Sequence, residues 1–254
     1  MGNTLTQTMK NMHYQNALVT GATSGIGHAI AEQLAAMGLH VYALGRKHSM
    51  LESLSKNPSI TPIAVDVTDR AAVHEILNNL PIDVFINNAG VMPPPVPFYA
   101  IEQVDIDTTL EVNLSAAFAL TRQLLPGMVE RRCGHVFFIG STAGHAAFPN
   151  MSVYGASKAA IASLAASLRC DLAGSGVRVT EVVPGRVKTA LYDSVLGESG
   201  AQNLYDGFAT VAPEDVALMV KAVLGMPAQV NVSRFDILPT TQYVGGGAII
   251  EEKQ

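Results

Sequence analysis

A tyrosine and a lysine four residues apart, Tyr154 and Lys158, follow a serine at position 141. Four residues is about one helical turn, so on a helix the two side chains share a face. An ammonium beside a phenol favours the phenolate and draws the tyrosine down from its ordinary value of about 10. A tyrosine able to give or take a proton near neutrality is what carbonyl reduction or alcohol oxidation needs. The same spacing occurs by chance in many helices, so the rest of the chain decides what it means.

Residues 15–20, QNALVT, read as a short apolar strand. Gly21-Ala22-Thr23-Ser24-Gly25-Ile26-Gly27 follows directly. Beyond it, Ile30, Ala31, Leu34, Ala35 and Leu39 recur at three- and four-residue steps, the period of a helix. Strand, glycine-rich turn and helix together make a dinucleotide site. Gly21 permits the tight turn, Gly25 lets the backbone approach a pyrophosphate, and Gly27 lets helix pack on strand. The helix start then aims unpaired N–H groups at the phosphates. The spacing is GxxxGxG rather than GxGxxG, so context carries more weight than the letters.

The second strand, residues 39–44, ends in Gly45-Arg46-Lys47. An NAD site has an acid near this point for the ribose 2′-hydroxyl. Two cations stand there instead, which suits the 2′-phosphate of NADP(H), and Arg46 offers the planar fork. A third strand, residues 61–65, runs into Asp66 and Val67. Asp66 either accepts from an adenine amino group or caps the helix starting near Asp69. The fourth, residues 82–86, runs into Asn87-Asn88-Ala89-Gly90, small and amide residues fit for close passage by a cofactor. Met92 to Pro97 holds four prolines, hence a non-helical loop that could rim a pocket.

The chain has 254 residues with 48% apolar content, ample for the core of one α/β domain. A net charge of −5 and the absence of any basic tract argue against nucleic-acid binding. No apolar run approaches the ~18 residues of a membrane span, and the polar first fourteen residues lack a signal-peptide core. Two cysteines without CxxC spacing read as free thiols in a reducing cytoplasm. Seven scattered histidines form neither HxxxH nor HExxH, so no metal site is expected.

Strands alternate with helical segments from residue 15 onward, with later strands at 135–139, 177–183 and 234–238. That alternation implies one parallel doubly wound sheet with right-handed crossovers. The ligand cleft then lies at the strand C-termini, where the motifs fall. The small polar stretch 198–207 reads as a lid over the substrate. Residues 241–254, with three consecutive glycines, read as a flexible tail on a single domain spanning 1–254, and residues 1–14 as a polar extension.

In order along the chain stand TGATSGIG (20–27), NNAG (87–90), Asn113, Ser141, YGASK (154–158) and Pro184-Gly185. This set resembles the short-chain dehydrogenase/reductase family over residues 14–240. The resemblance is strongest to its NADP-dependent enzymes for short hydroxy acids and semialdehydes and to the sulfoacetaldehyde reductases. It implies a Rossmann-type α/β fold with about seven strands in the order 3-2-1-4-5-6-7 and helices on both faces. It implies a small-molecule substrate and a homo-oligomer, tetramer or dimer. It makes Tyr154 the general acid in reduction. Lys158 lowers its pKa and holds the nicotinamide ribose, and Ser141 bonds the substrate oxygen. Asn113 sits at a helix kink with a relay water, and Thr189 contacts the carboxamide. Thr23, Ser24, Ile26, Val67, Asn88, Ala89, Gly90, Pro184, Gly185 and Val187 complete the NADP(H) contacts. His145 lies in a loop facing the active site in the resemblance and is a candidate substrate contact. The chain departs from the subgroup in its basic Arg186-Val187-Lys188. That departure makes Arg186 a candidate anion clamp, with Tyr192 as a supporting hydroxyl, for a small anionic aldehyde. Two other functions compete. One is a reductase of carrier-bound 3-ketoacyl groups, docked on Arg131, Arg132 and Arg169. The other is a non-enzymatic NADP-binding sensor, a class that commonly loses the tyrosine or lysine retained here.

Overall fold

The computed structural model describes residues 14–192, 195, 197 and 209–242. The stretch read as a lid, 198–207, lies outside the described residues, as do 1–13 of the extension and 243–254 of the tail.

Seven strands form one parallel sheet in the expected order: β3-β2-β1-β4-β5-β6-β7. They are β1 Asn16–Thr20, β2 His40–Gly45, β3 Ile60–Ala64, β4 Val84–Asn87, β5 Gly134–Ile139, β6 Val177–Pro184 and β7 Arg234–Ile237. The central strands are apolar at nearly every position because helices cover both faces. Alternate residues still part company. Ala17 and Val19 of β1 and Phe137 and Ile139 of β5 turn to one core, Leu18, Val136 and Phe138 to the other. The first core is closed by α1 (Gly25–Ala36) through Ile30 and Leu34. It is completed by α7 (Pro213–Leu224) through Val216, Val220 and Val223. Between these two come α2 (His48–Leu54), α3 (Arg70–Leu77), α4 (Gln103–Leu110), α5 (Ala116–Glu130) and α6 (Ser152–Asp171). Leu120 and Leu124 of α5 and Ile161 and Ala165 of α6 close the second core.

Two expectations are corrected. Strand β4 starts at Val84 rather than 82, although Asp83 just before it still pairs through its backbone, N–H to Asn16 O and O from His135 N–H. The buried Asp83 carboxylate accepts the N–H groups of Gln15 (2.8 Å) and Asn16 (3.1 Å), tying the chain's entry to the sheet. The cap of α3 is Asp69, which accepts from Ala72 N, and not Asp66.

All strands end on one edge, and the β1 and β4 ends are locked together there. Buried Thr20 Oγ1 accepts from the N–H groups of Asn88 and Ala89, each at 3.0 Å, and donates to Ile86 O. Asn88 Nδ2 donates back to Thr20 O (2.9 Å) and Gly21 O (3.3 Å). Gly21 has φ +65°, which favours glycine, and a Cβ there would lie 2.8 Å from Asn88 Nδ2.

Candidate active site

A cleft of about 930 Å³ opens along this edge. One end is built by the turn between β1 and α1. Thr23, Ser24, Gly25 and Ile26 line it, while Gly27 lies just behind, where a Cβ would strike Asn88 and Gly21 O. The Ser24 side chain makes no cap bond at the start of α1. The first-turn N–H groups are therefore left for an anion, and the glycines leave room for a pyrophosphate.

Arg46, Asp66 and Val67 line the same end. Arg46 reaches Asp66 at 3.2 Å, with its own side chain 69% exposed. Such a pair contributes at most about 1 kcal/mol, so a phosphate can compete for the guanidinium. Burial lifts the Asp66 carboxyl, but the Thr68 N–H and hydroxyl and Arg46 outweigh it and hold the group below its ordinary value. With its oxygens engaged by Thr68 and Arg46, Asp66 caps no helix. These residues fit an NADP(H) adenosine carrying a 2′-phosphate.

The middle of the cleft is lined by Asn88, Ala89, Gly90, Pro184, Gly185, Val187 and Thr189. The Asn88 side-chain nitrogen is spent on Thr20 O and Gly21 O, which holds the turn beside the cleft.

Ser141, Tyr154 and Lys158 meet at the far end. Ser141 lies two residues past the end of β5, at the start of the short turn Thr142–Gly144, and Tyr154 and Lys158 lie one turn apart on α6. The Ser141 hydroxyl hydrogen-bonds the Tyr154 phenol and also accepts from Ala143 N. Tyr154 and Lys158 are both buried, each 7% exposed. Lys158 Nζ donates to Ile139 O at 2.8 Å and lies 5.7 Å from the Tyr154 ring centroid.

This geometry corrects the expected phenol chemistry. Burial pushes the Tyr154 hydroxyl well above its ordinary value, Tyr192 adds to the rise, and the Ser141 bond only tempers it. The ammonium sits over the ring and on a carbonyl rather than on the phenol oxygen, so it does not supply the depression expected from spacing. Lys158 is itself drawn down to about 8 by burial, against an opposing pull from Glu181.

Asn113 lies in a π-helical segment, Glu111–Ser115, that joins α4 to α5. Its amide does not line the cleft. Oδ1 accepts from Val91 N at 2.8 Å, and Nδ2 donates to Val91 O and to Ser157 Oγ. A Cβ on Gly90 would lie 3.3 Å from Asn113 Oδ1 and 3.6 Å from Lys158 Nζ, so both groups border one small space.

Among the candidate substrate residues, Arg186 and Tyr192 line the cleft and His145 does not. The His145 ring turns to Glu181 Oε1 at 2.7 Å instead. Lys188 is exposed and outside the lining. Gln242 lies at the cleft, in the segment read as a flexible tail, and its Oε1 accepts from Arg186 N at 2.8 Å. An apolar wall of Met92, Phe148, Met151 and Leu191 packs beside Tyr154. Met92 was legible from the proline loop. The others carried only a weak signal: large apolar side chains in loops, where a core does not need them. Arg131, Arg132 and Arg169, the docking candidates, each bond a backbone carbonyl, of Ile82, Gly174 and Ser233 respectively.

Comparison with known proteins agrees with this geometry. Residues 15–198 match the family model for the short chain dehydrogenase. The chain is 37% identical over 239 residues to the NADP-dependent 3-hydroxy acid dehydrogenase of Escherichia coli K12, covering 90% of this chain and 96% of that one. It is 35% identical over 237 residues to sulfoacetaldehyde reductase 2 of Chromohalobacter salexigens, covering 89% and 94%. A solved structure of serine dehydrogenase, in its closed form with NADP+, superposes with a TM-score of 0.88 at 35% identity, covering 94% of this chain and all of that one. The glycine cradle, the uncapped start of α1 and the Ser141–Tyr154–Lys158 cluster thus belong to a member of the short-chain dehydrogenase family, an oxidoreductase that binds NADP(H).

Proposed function

We propose that the protein reduces a small anionic aldehyde, such as sulfoacetaldehyde or malonic semialdehyde, and runs reversibly as an alcohol dehydrogenase. One observation carries the substrate class: Arg186 and Tyr192 line the same cleft as Ser141 and Tyr154. A guanidinium there pairs with a carboxylate or sulfonate in two parallel bonds, and the apolar wall keeps the chain between the two ends short. The names of the hydroxy acid and sulfoacetaldehyde relatives support the same class.

NADPH, when bound, supplies the hydride for the carbonyl carbon. Tyr154 gives its proton to the carbonyl oxygen as negative charge develops there. Burial keeps the phenol protonated before the step, so the proton is in place when the oxygen needs it. Ser141 adds a second donor to the same oxygen, as in an oxyanion hole. Lys158 holds positive charge beneath the site. Asn113 and Lys158 border the space beside Gly90 where a relay water would return the proton.

The protein is proposed to act as a homo-oligomer, a dimer or tetramer. Exposed apolar side chains support this on two flanks. Phe98, Tyr99, Val104 and Phe118 lie around α4 and α5, and Leu218, Met219 and Met226 around α7. The two free cysteines fit a reducing cytoplasm, and among the described residues no helix is long and apolar enough to cross a membrane. Neither competing reading gains an observation, since the docking arginines are engaged locally and the tyrosine and lysine are intact.

The test compares kcat/KM for sulfoacetaldehyde and malonic semialdehyde with a neutral aldehyde of matched size, in wild type and Arg186→Ala. Arg186→Ala is expected to raise KM for the anions about tenfold or more, the loss of one charge-assisted contact, and to leave the neutral compound nearly unchanged. A wild-type preference for the neutral aldehyde sinks the anionic class. Equal loss on both substrates removes Arg186 from the clamp role.

A further inference from the structure

Glu181 is a carboxylate in the middle of β6, with its side chain only 4% exposed. A buried carboxylate is costly unless something requires and satisfies it. Its satisfaction is local and specific. His145 Nε2 meets Glu181 Oε1 at 2.7 Å, and Arg234 Nη1 lies 3.4 Å from His145 Nδ1. The chain of bonds agrees on one tautomer: Arg234 donates to Nδ1, and Nε2–H donates to the carboxylate. Arg234 is also the register partner of Glu181 across β6 and β7. Its other side is held by Asp236, Nε to Oδ1 at 2.9 Å.

The carboxylate packs against the active-site strand. A Cβ on Gly140 would lie 2.7 Å from Glu181 Oε1, so the residue between Ile139 and Ser141 must be small. Lys158 Nζ is fixed on Ile139 O, one residue away. The charged and titratable groups around this pair come from every packed element. Tyr154 lies on α6 itself, with Tyr192 beyond it. Glu181 lies on β6, His145 follows β5, and Arg234 and Asp236 lie on β7. Of these, Glu181 is the negative charge that bears on Lys158 and opposes the effect of its burial.

We propose that the Glu181 carboxylate, oriented by His145 and Arg234, is a positioning residue that supplies the counter-charge for the Lys158 ammonium. The proposal rests on the reading that Lys158 helps to hold NADP(H). A neutral residue at 181 takes away the negative charge that opposes the effect of burial on the ammonium, and the ammonium then gives up its proton at lower pH.

The experiment measures NADPH affinity from pH 6 to 10 by cofactor fluorescence, without any substrate, in wild type, Glu181→Gln, Glu181→Asp, His145→Ala and Lys158→Met. Wild-type affinity is expected to fall with a midpoint near the Lys158 value of about 8. In Glu181→Gln the midpoint moves down by about one unit, a tenfold change in proton affinity, while affinity at pH 6 is retained. Glu181→Asp, which keeps the charge, moves it less. His145→Ala moves it in the same direction as Glu181→Gln by a smaller step, because the carboxylate loses the bond that orients it; it carries the test if Glu181→Gln does not fold. An unmoved midpoint in both neutralising and supporting variants, or an equal loss of affinity at every pH, overturns the counter-charge role. Normal affinity in Lys158→Met instead overturns the underlying reading of Lys158.

Discussion

At the scale of single residues, the decisive quantity is which group holds a proton before reaction. Burial keeps the Tyr154 phenol protonated and brings Lys158 to about 8. Tyr154→Phe removes one hydroxyl and changes little in shape. Turnover is expected to fall by at least 100-fold, the low end of what general acid catalysis contributes, while NADPH binding persists; near-normal rates in the variant would remove Tyr154 from the chemistry. The direction of pH dependence follows from the same two groups. Reduction needs a charged lysine and a protonated phenol, so kcat for reduction should hold at low pH and decline as pH rises through about 8. Cofactor choice is a third residue-scale matter. Arg46→Asp replaces a fork suited to phosphate by a carboxylate suited to a hydroxyl. The expected outcome is loss or reversal of an NADPH preference of at least about tenfold, since one charge-assisted bond is worth about 1.5–3 kcal/mol. Comparable kcat/KM with NADPH and NADH in the wild type would contradict it.

At the scale of elements, the turn after β1 depends on a buried hydroxyl rather than on glycine alone. Thr20 Oγ1 serves two N–H groups, of Asn88 and Ala89, and one carbonyl, of Ile86. Thr20→Val keeps the shape and strands those partners. A cost of roughly 2 kcal/mol is expected for buried groups left unpaired, or about 4–8 °C in Tm for a domain of this size. NADPH affinity should weaken as well, because the same bonds set the Gly21 turn; thermal melts and cofactor titration together check this. Glycines, hydrophobic runs and helical periods made the strands and α1 readable in sequence, because each is a local property. Thr20 was not readable as a clamp, and neither was the Asn88 amide, because their partners lie 66 to 69 residues away. Glu181 was hidden for the same reason. In VRVTEVVP it reads as one of three polar positions, with Arg178 and Thr180, in an otherwise apolar strand, and only the β6–β7 register and the loop after β5 bring Arg234 and His145 to it. The phenol chemistry was misjudged because four-residue spacing gives a shared face but not where an ammonium points.

At the scale of the whole molecule, the sheet is covered on both sides, and polar groups inside it set the pH range of the fold. His135 is the clearest of these, with no exposed surface. Thr180 Oγ1 donates to Val232 O at 2.7 Å, so it accepts from His135 Nε2–H at 2.8 Å. Nδ1 then carries no proton and has no hydrogen-bond partner among the described residues, while the ring stacks on Phe137 with centroids 4.0 Å apart. Protonation would bury an unpaired N–H and a charge. Burial, reinforced by the Arg178 cation, accordingly holds the ring well below its ordinary value. The unfolded chain takes up a proton at about 6.5 and the folded chain does not. The stability tied to this difference is therefore intact above about pH 6.5 and is lost as pH falls below it, with a limiting slope of about 1.4 kcal/mol per pH unit for one proton. His135→Gln can keep a donor for Thr180 and cannot take up a proton. Wild type is expected to lose stability between pH 6.5 and 5 more steeply than the variant, by nearly that slope in chemical denaturation. Parallel curves for the two proteins over this range would show that His135 is not the group that sets the acid limit.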